Sequence, residues 1–195
     1  LFYKQWSAVK EYANGKGIAV IGDMPIYVAM DSCDVWANIS QYMIDDKTLK
    51  PKKVAGCPPD YFSEDGQLWG NPLYDWDYME KTGYKWWIER IYYLCKVYDI
   101  LRIDHFRGFD SYYAIPYGDT TAKNGVWKEG PGMKLFEAVE KTIGRQNIIA
   151  EDLGFLTDSV VKLVKKTGYP GMKVLQFAFD SREESDYLPH NYVAN

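Results

Sequence analysis

Two segments of this chain share the pattern that most constrains its fold: a short apolar run turns acidic just before a glycine. The first segment, residues 100–108, reads ILRIDHFRG. Its apolar residues are Ile100, Leu101 and Ile103. The charged or polar residues Arg102, Asp104, His105 and Arg107 lie among or after them, ahead of Gly108. In the second, the apolar residues 148–150 precede Glu151 and Asp152, ahead of Gly154. Apolar runs of this length are typical of buried strands. Charged residues where such strands end are typical of the active-site face of α/β barrels.

Helical patterns separate the predicted strands. Strands are predicted near residues 18–22, 100–104, 148–151 and 172–179, and helices over 1–14, 77–98 and 131–143, with a further helix capped by Thr157. In the second helix, Trp87, Ile91, Leu94 and Tyr98 repeat at helical spacing and form one apolar face. This order predicts an α/β fold with a parallel sheet covered by helices. Four parallel strands would make part of a (β/α)8 TIM barrel, namely half of it.

The two acidic strand ends predict glycoside chemistry. Parallel strands place their C-terminal ends on one rim, so Asp104 and Glu151 would face a common cleft if their strands are neighbours. Two facing carboxyl groups can attack an anomeric carbon and protonate the leaving oxygen, and a separation of about 5–5.5 Å corresponds to retention of configuration. Arg102 lies on the same strand face as Asp104 and could keep it ionised. The alternative is a purely structural Arg–Asp pair at a strand end.

Aromatic residues make up 16% of the chain, and many lie in stretches rich in Gly, Pro and Asp. Their rings can stack on the apolar faces of sugars while nearby amides and carboxylates bind hydroxyl groups. The loop over 58–72 is the most specific of these stretches. Its rings are Tyr61, Phe62 and Trp69, and Asp60, Glu64 and Gln67 offer partners for hydroxyl groups. The alternative for this loop is an Ω-loop packed by its own side chains.

Composition excludes several classes of function. The net charge of -4 and the absence of a basic block argue against a nucleic-acid partner. Two histidines are too few for a histidine-based metal site, and no metal or cofactor is expected. No run of about 18 apolar residues predicts a membrane span. Cys33, Cys57 and Cys95 are odd in number and lack metal spacing, which favours reduced thiols in a cytoplasm.

Several long motifs resemble amylomaltase, the 4-α-glucanotransferase family also called disproportionating enzyme. They are residues 21–28 (IGDMPIYV), 56–63 (GCPPDYFS), 66–72 (GQLWGNP), 102–109 (RIDHFRGF) and 149–154 (IAEDLG), in the family's order. The resemblance implies a retaining transglycosylase on a TIM-type barrel, with Asp104 as nucleophile and Glu151 as general acid/base. Its substrates would be malto-oligosaccharides and α-1,4-glucans, contacted by the loop over 58–72 and by residues near Asp23.

Further expectations concern the extent of the chain. Family enzymes are much longer, and their third catalytic aspartate lies in a His-Asp-Asn-Asp-type motif that does not occur here. Residues 1–195 are therefore expected to be a partial catalytic barrel domain, a fragment of a longer enzyme that is inactive alone and could associate through unpaired sheet edges. Among the rim residues, His105 and Phe177 are further candidates for binding sugar.

Three other functions remain open on the residues alone. An α-amylase-type hydrolase would use the same carboxylate pair, and its products would be shorter glucans rather than a ladder of longer ones. A non-catalytic glucan-binding module would need the aromatic residues but neither Asp104 nor Glu151. A metal-dependent lyase or aldolase on a barrel is a more distant alternative, because no convincing ligand set is visible.

Overall fold

The computed structural model describes residues 1–61, 63–154, 156–179 and 187–192. The helices are α1 (Phe2–Gly15), α2 (Cys33–Ala37), α3 (Trp76–Lys81), α4 (Lys85–Val97), α5 (Met133–Ile143) and α6 (Asp158–Thr167). The strands are β1 (Ile21–Met24), β2 (Lys53–Cys57), β3 (Gln67–Pro72), β4 (Ile100–Ile103), β5 (Ser111–Pro116), β6 (Val126–Glu129) and β7 (Ile148–Ala150). Short 3-10 helices lie at Ile39–Gln41, Phe106–Phe109, Leu175–Phe179 and Pro189–Asn191.

A parallel sheet in the order β1-β4-β7 forms the centre of the fold. β4 lies in the middle, and its Ile103 pairs with Met24 on one side and Ala150 on the other. Leu101 and Ile103 are fully buried, as expected for a strand covered on both faces. The predicted α/β class and three of the predicted strands are confirmed, with β1 beginning later than the sequence pattern indicated.

The fourth predicted parallel strand, over residues 172–179, is wrong for the described residues. Leu175–Phe179 forms a 3-10 helix instead. The chain just before it approaches β7, where the Ala150 amide donates to the Pro170 carbonyl, but the Met172 amide then donates to the Asp152 side chain. The Asp152 side chain thus accepts the backbone hydrogen bond that a continuing strand would need. For this reason the apolar pattern of residues 172–179 does not produce a strand.

A second, antiparallel sheet in the order β3-β2-β5-β6 was not predicted. The sequence pattern left both 58–72 and 109–128 without regular structure, yet these regions supply β3, β5 and β6. All four residues of β6 are exposed, and β3 contains Gly70, Asn71 and Pro72, so neither strand carries an alternating apolar pattern. Pairing with β2 and β5, rather than local preference, makes these segments strands.

The helix predicted over 77–98 is two helices, α3 and α4. They are separated at Gly83 and Tyr84, which both have positive φ angles, of 66° and 56°. Of the apolar stripe that indicated the helix, Trp87, Ile91 and Leu94 lie in α4, where Trp87 and Ile91 are fully buried, and Tyr98 is its C-cap residue. The other three predicted helices are confirmed as α1, α5 and α6, and Thr157 occupies the N-cap position of α6.

The main hydrophobic core lies between the parallel sheet and its helices. It joins Ile103 of β4 to Trp87 of α4 and Phe136 of α5, with Phe106 and Phe109 packed against them. Residues of β4 and β7 are part of this core, so packing fixes the positions of the residues that follow both strands. Among the described residues, no helix combines the length and apolar character that crossing a bilayer requires.

Candidate active site

The first feature of the site is that Asp104 and Glu151 follow adjacent strands at the same end of the sheet. Ile103 and Ala150, the last residues of β4 and β7, are paired in register. The Glu151 amide donates to the Ile103 carbonyl and the Phe106 amide donates to the Glu151 carbonyl, both at 3.0 Å. These bonds extend the pairing past the strand ends and place the two acidic residues side by side on one rim.

Glu151 is a buried carboxyl with two backbone donors. Its side chain is mostly enclosed; Oε2 accepts from the His105 amide and Oε1 from the Leu153 amide, each at 2.8 Å. Burial raises the pKa of Glu151 and the Asp104 charge adds to the rise, while the two amides and the Arg102 charge lower it. The net pKa is above the ordinary glutamate value, which suits a carboxyl that both gives and takes a proton.

Asp104 is ion-paired with Arg102. The Arg102 guanidinium lies 2.9 Å from Asp104 and 2.6 Å from Asp23, so it bridges the ends of β4 and β1. Arg102 Nε also lies 3.1 Å from the Met172 sulfur. A guanidinium held at three points fixes the direction of both aspartate side chains. The Asp104 side chain remains partly exposed.

His105 connects the carboxylates to the aromatic residues. Its φ angle is 52°, in the left-handed region, and its ring contacts Trp69 edge-on with a centroid separation of 4.9 Å. Burial, helped by the nearby Arg107 charge, lowers the His105 pKa to about 4. The imidazole is therefore neutral near neutral pH and offers a hydrogen bond without a charge. Trp69 in turn donates from Nε1 to Gln67 Oε1 at 3.0 Å.

The other predicted binding residues lie on flanking segments. Asp60 closes a turn, because its Oδ1 accepts from the Ser63 amide at 2.8 Å, and the adjacent Tyr61 is 91% exposed. Phe62 lies outside the described residues. Phe177 is half-exposed on the Leu175–Phe179 helix, and its ring packs against Tyr187. The structure thus joins Asp23, Arg102, Asp104, His105 and Glu151 directly and reaches Gln67 and Trp69 through His105.

Sequence reasoning missed Asp152 and Met172. Asp152 Oδ1 accepts from the Met172 amide at 2.8 Å, and Met172 places its sulfur against Arg102. Gly171 packs so closely on the Asp152 carboxylate that a Cβ there would overlap it. The Glu-Asp pair at the end of β7 was the available signal for Asp152. Contact between Met172 and Arg102, 70 residues apart, left no local signal.

Comparison with known proteins agrees with this geometry. The family described as 4-alpha-glucanotransferase matches residues 1–195. A 4-alpha-glucanotransferase from Clostridium butyricum is 56% identical, and the match covers 100% of this chain and 40% of the relative. One from Streptococcus pneumoniae is 58% identical, covering 100% and 38% respectively. The chain therefore spans about two fifths of the length of these relatives.

Solved structures give the same result. An amylomaltase from Streptococcus agalactiae in complex with acarbose superposes with a TM-score of 0.94 at 48% identity, over 98% of this chain and 39% of that one. An amylomaltase from Corynebacterium glutamicum has a TM-score of 0.79 at 20% identity, over 93% and 25% of the two chains, and indicates the shared fold. On the family match and these identities, the chain belongs to the 4-alpha-glucanotransferase family.

Proposed function

We propose that this chain carries the catalytic pair of a retaining 4-α-glucanotransferase, which transfers segments of α-1,4-glucan to acceptor glucans. The observation that carries the proposal is the contrast between two neighbouring carboxyls. Asp104 is paired with Arg102 at 2.9 Å, whereas burial raises the pKa of Glu151. Double displacement at an anomeric carbon requires one carboxyl that attacks and a second that gives and takes a proton.

In the first step, an Asp104 oxygen attacks the anomeric carbon while Glu151 gives its proton to the departing glycosidic oxygen. The bond between that carbon and oxygen breaks, and a glycosyl ester on Asp104 forms. In the second step, Glu151 takes a proton from a hydroxyl group of the acceptor glucan. The resulting nucleophilic oxygen displaces Asp104, and the configuration at the anomeric carbon is retained.

Residues around the pair would hold the substrate. Arg102 and Asp23 lie on the rim, where their polar groups can bind ring hydroxyls, and neutral His105 can add a hydrogen bond. Gln67 and Trp69 of β3, with Asp60, Tyr61 and Phe62 of the preceding loop, would contact the acceptor, and Phe177 would add an apolar surface. Support comes from the contact of Trp69 with His105, next to Asp104 in sequence.

The proposed setting is the catalytic barrel of a cytoplasmic enzyme. Residues 1–195 would form part of that (β/α)8 domain, since β1, β4 and β7 lie side by side as barrel strands do. Cys33, Cys57 and Cys95 are all free thiols, which agrees with a reducing compartment. Soluble malto-oligosaccharides would be the substrates, and the edges of β1 and β7 are where further barrel strands or another chain would pair.

Incubation of the full-length protein with maltotriose tests the proposal. A ladder of longer glucans is expected, whereas an α-amylase-type hydrolase would yield mainly glucose and maltose. Glu151→Gln should lower kcat by about 10²–10⁴-fold, the usual contribution of a general acid/base. Asp104→Asn should lower it at least as much, and the exposed Asp46→Asn serves as the matched control. Full activity of either site variant would contradict the assignment.

A further inference from the structure

A cavity of about 950 Å³ lies beside the rim rather than on it. We call it the Trp127 groove; its lining includes Trp76, Tyr84, Arg107, Asp110, Trp127 and Ser159. Its volume is at the upper end of the roughly 300–1,000 Å³ typical of small-molecule sites. Asp104, His105 and Glu151 are not among its lining residues. Any ligand of the groove would therefore be distinct from the reacting sugar ring.

The floor of the groove is rigid and connected to the catalytic residues. The Gly130 amide donates to the Asp110 carbonyl and the Gly132 amide to the Phe109 carbonyl, both at 2.8 Å. Gly130 lies so close to the Phe109 carbonyl that a Cβ there would overlap it. The Phe106–Phe109 helix leads directly from His105 to this floor. The groove is thus preformed, and its floor follows the Phe106–Phe109 helix in the chain.

Trp127 forms an aromatic wall of the groove. Its indole ring contacts the Arg107 guanidinium, 4.1 Å from the ring centroid, and makes a T-shaped contact with Tyr113 at a centroid separation of 5.2 Å. Arg107 is only 8% exposed, so it fixes the ring from the protein side, while 42% of Trp127 remains exposed. A large aromatic surface kept exposed in one orientation is suited to stacking on a flat apolar face.

The polar groups of the groove match a neutral ligand rich in hydroxyl groups. Asp110 Oδ2 accepts from Ser159 Oγ at 2.9 Å and from Ser111 Oγ at 3.2 Å, which leaves hydroxyl and carboxylate oxygens at the surface. The charged side chains of the lining are nearly balanced in sign: the acidic ones are Asp77, Glu80, Asp110 and Glu129, and the basic ones are Arg107, Lys128 and Lys134. Mixed charge disfavours a strongly anionic or cationic ligand, whereas donors and acceptors beside an indole suit a sugar.

We propose that the Trp127 groove binds a segment of an α-1,4-glucan chain outside the catalytic cleft. This inference rests on the proposed function, because it takes the same class of ligand. A long glucan could then bind at two places at once. Binding of one segment in the groove would raise the effective concentration of the other segments of the same glucan near Asp104. Maltotriose, which is too short to occupy both places, does not depend on the groove.

The test uses the full-length protein carrying Asp104→Asn, so that glucans bind but do not turn over. Its migration is measured in native gels with and without amylopectin. Trp127→Ala removes the indole, and Ser159→Tyr places a larger side chain in the groove from an exposed position. Either change should weaken the binding of amylopectin, seen as retardation of the protein in the gel, by about fivefold, which corresponds to roughly 1 kcal/mol of lost stacking. Trp36→Ala is the matched control, since Trp36 is 87% exposed and does not line the groove.

Turnover of maltotriose, measured with Asp104 intact, separates this inference from the proposed function. Trp127→Ala and Ser159→Tyr should leave maltotriose disproportionation within about twofold, as expected for a site remote from the reacting bonds. Unchanged retardation in both groove variants would overturn the groove while leaving the transferase intact. Equal loss of maltotriose turnover in both would also overturn it, because the groove would then be part of the cleft. Retardation that depends on Trp127 in a protein without transferase activity would support the groove and contradict the proposed function.

Discussion

At the residue scale, the protonation of Glu151 depends on opposing neighbours. Burial and Asp104 raise its pKa, and the Leu153 and His105 amides and Arg102 lower it. The two amide donors are backbone groups, so a side-chain substitution does not remove them. The Arg102 charge, in contrast, can be removed by substitution. Arg102 therefore has two roles in this account: it pairs with Asp104 at 2.9 Å, and it limits how firmly Glu151 holds its proton.

We accordingly expect Arg102→Gln to move the basic limb of the pH profile of kcat/KM to higher pH. Activity falls on this limb as Glu151 loses its proton, and removing a nearby positive charge favours the protonated form. The rate at the optimum should fall by about tenfold or more, as for loss of one hydrogen bond to a charged group. Arg145→Gln, in the segment that precedes β7 at the opposite end of the sheet, is the control. A basic limb that stays in place or moves to lower pH would contradict this role.

At the element scale, the loop between β2 and β3 presents Tyr61 to solvent from a closed turn. Asp60 accepts from the Ser63 amide and Ser63 Oγ donates to the Gly66 carbonyl, both at 2.8 Å. The turn is thus held by its own polar groups, and Tyr61 is 91% exposed. We propose that this loop binds the acceptor through the exposed Tyr61 ring; the alternative is a loop packed by its own side chains.

Tyr61→Ala should therefore raise KM for the acceptor about three- to tenfold, which corresponds to loss of one aromatic contact. Its unfolding free energy should change by less than about 0.5 kcal/mol, as is usual at exposed positions. Acceptor kinetics and thermal unfolding provide the two measurements. Tyr12→Ala, at a 71% exposed position on α1, controls for removal of a surface ring. Clear destabilisation with unchanged KM would instead favour a packing role.

The same scale shows how far local sequence could predict this structure. β4 and β7, with Asp104 and Glu151 after them, were predictable because apolar residues and charged ends lie together in the chain. The antiparallel sheet was not, since exposed β6 becomes a strand only by pairing with β5. The segment after Pro170 was predicted wrongly for the opposite reason. Its apolar pattern is typical of a strand, but the Met172 amide donates to the Asp152 side chain instead of to a neighbouring strand.

At the scale of the whole molecule, the parallel sheet has β1 and β7 at its edges, and the chain covers about two fifths of its relatives. We expect the 195-residue polypeptide by itself to show little disproportionation of maltotriose. An oxocarbenium-like transition state needs its sugar ring held from several barrel strands. Circular dichroism should first establish that the polypeptide is folded. Robust ladder formation that Asp104→Asn abolishes would show that these residues suffice.

The central claim is that Asp104 forms a covalent bond with sugar while Glu151 moves the proton. The most direct measurement is mass spectrometry of the full-length Glu151→Gln protein after incubation with α-maltosyl fluoride, whose leaving group needs no acid. We expect a peptide spanning Asp104 that has gained one maltosyl group, and no such gain when Asp104→Asn is also present. A maltosyl group attached to a different residue, or inverted product without any attached sugar, would contradict it.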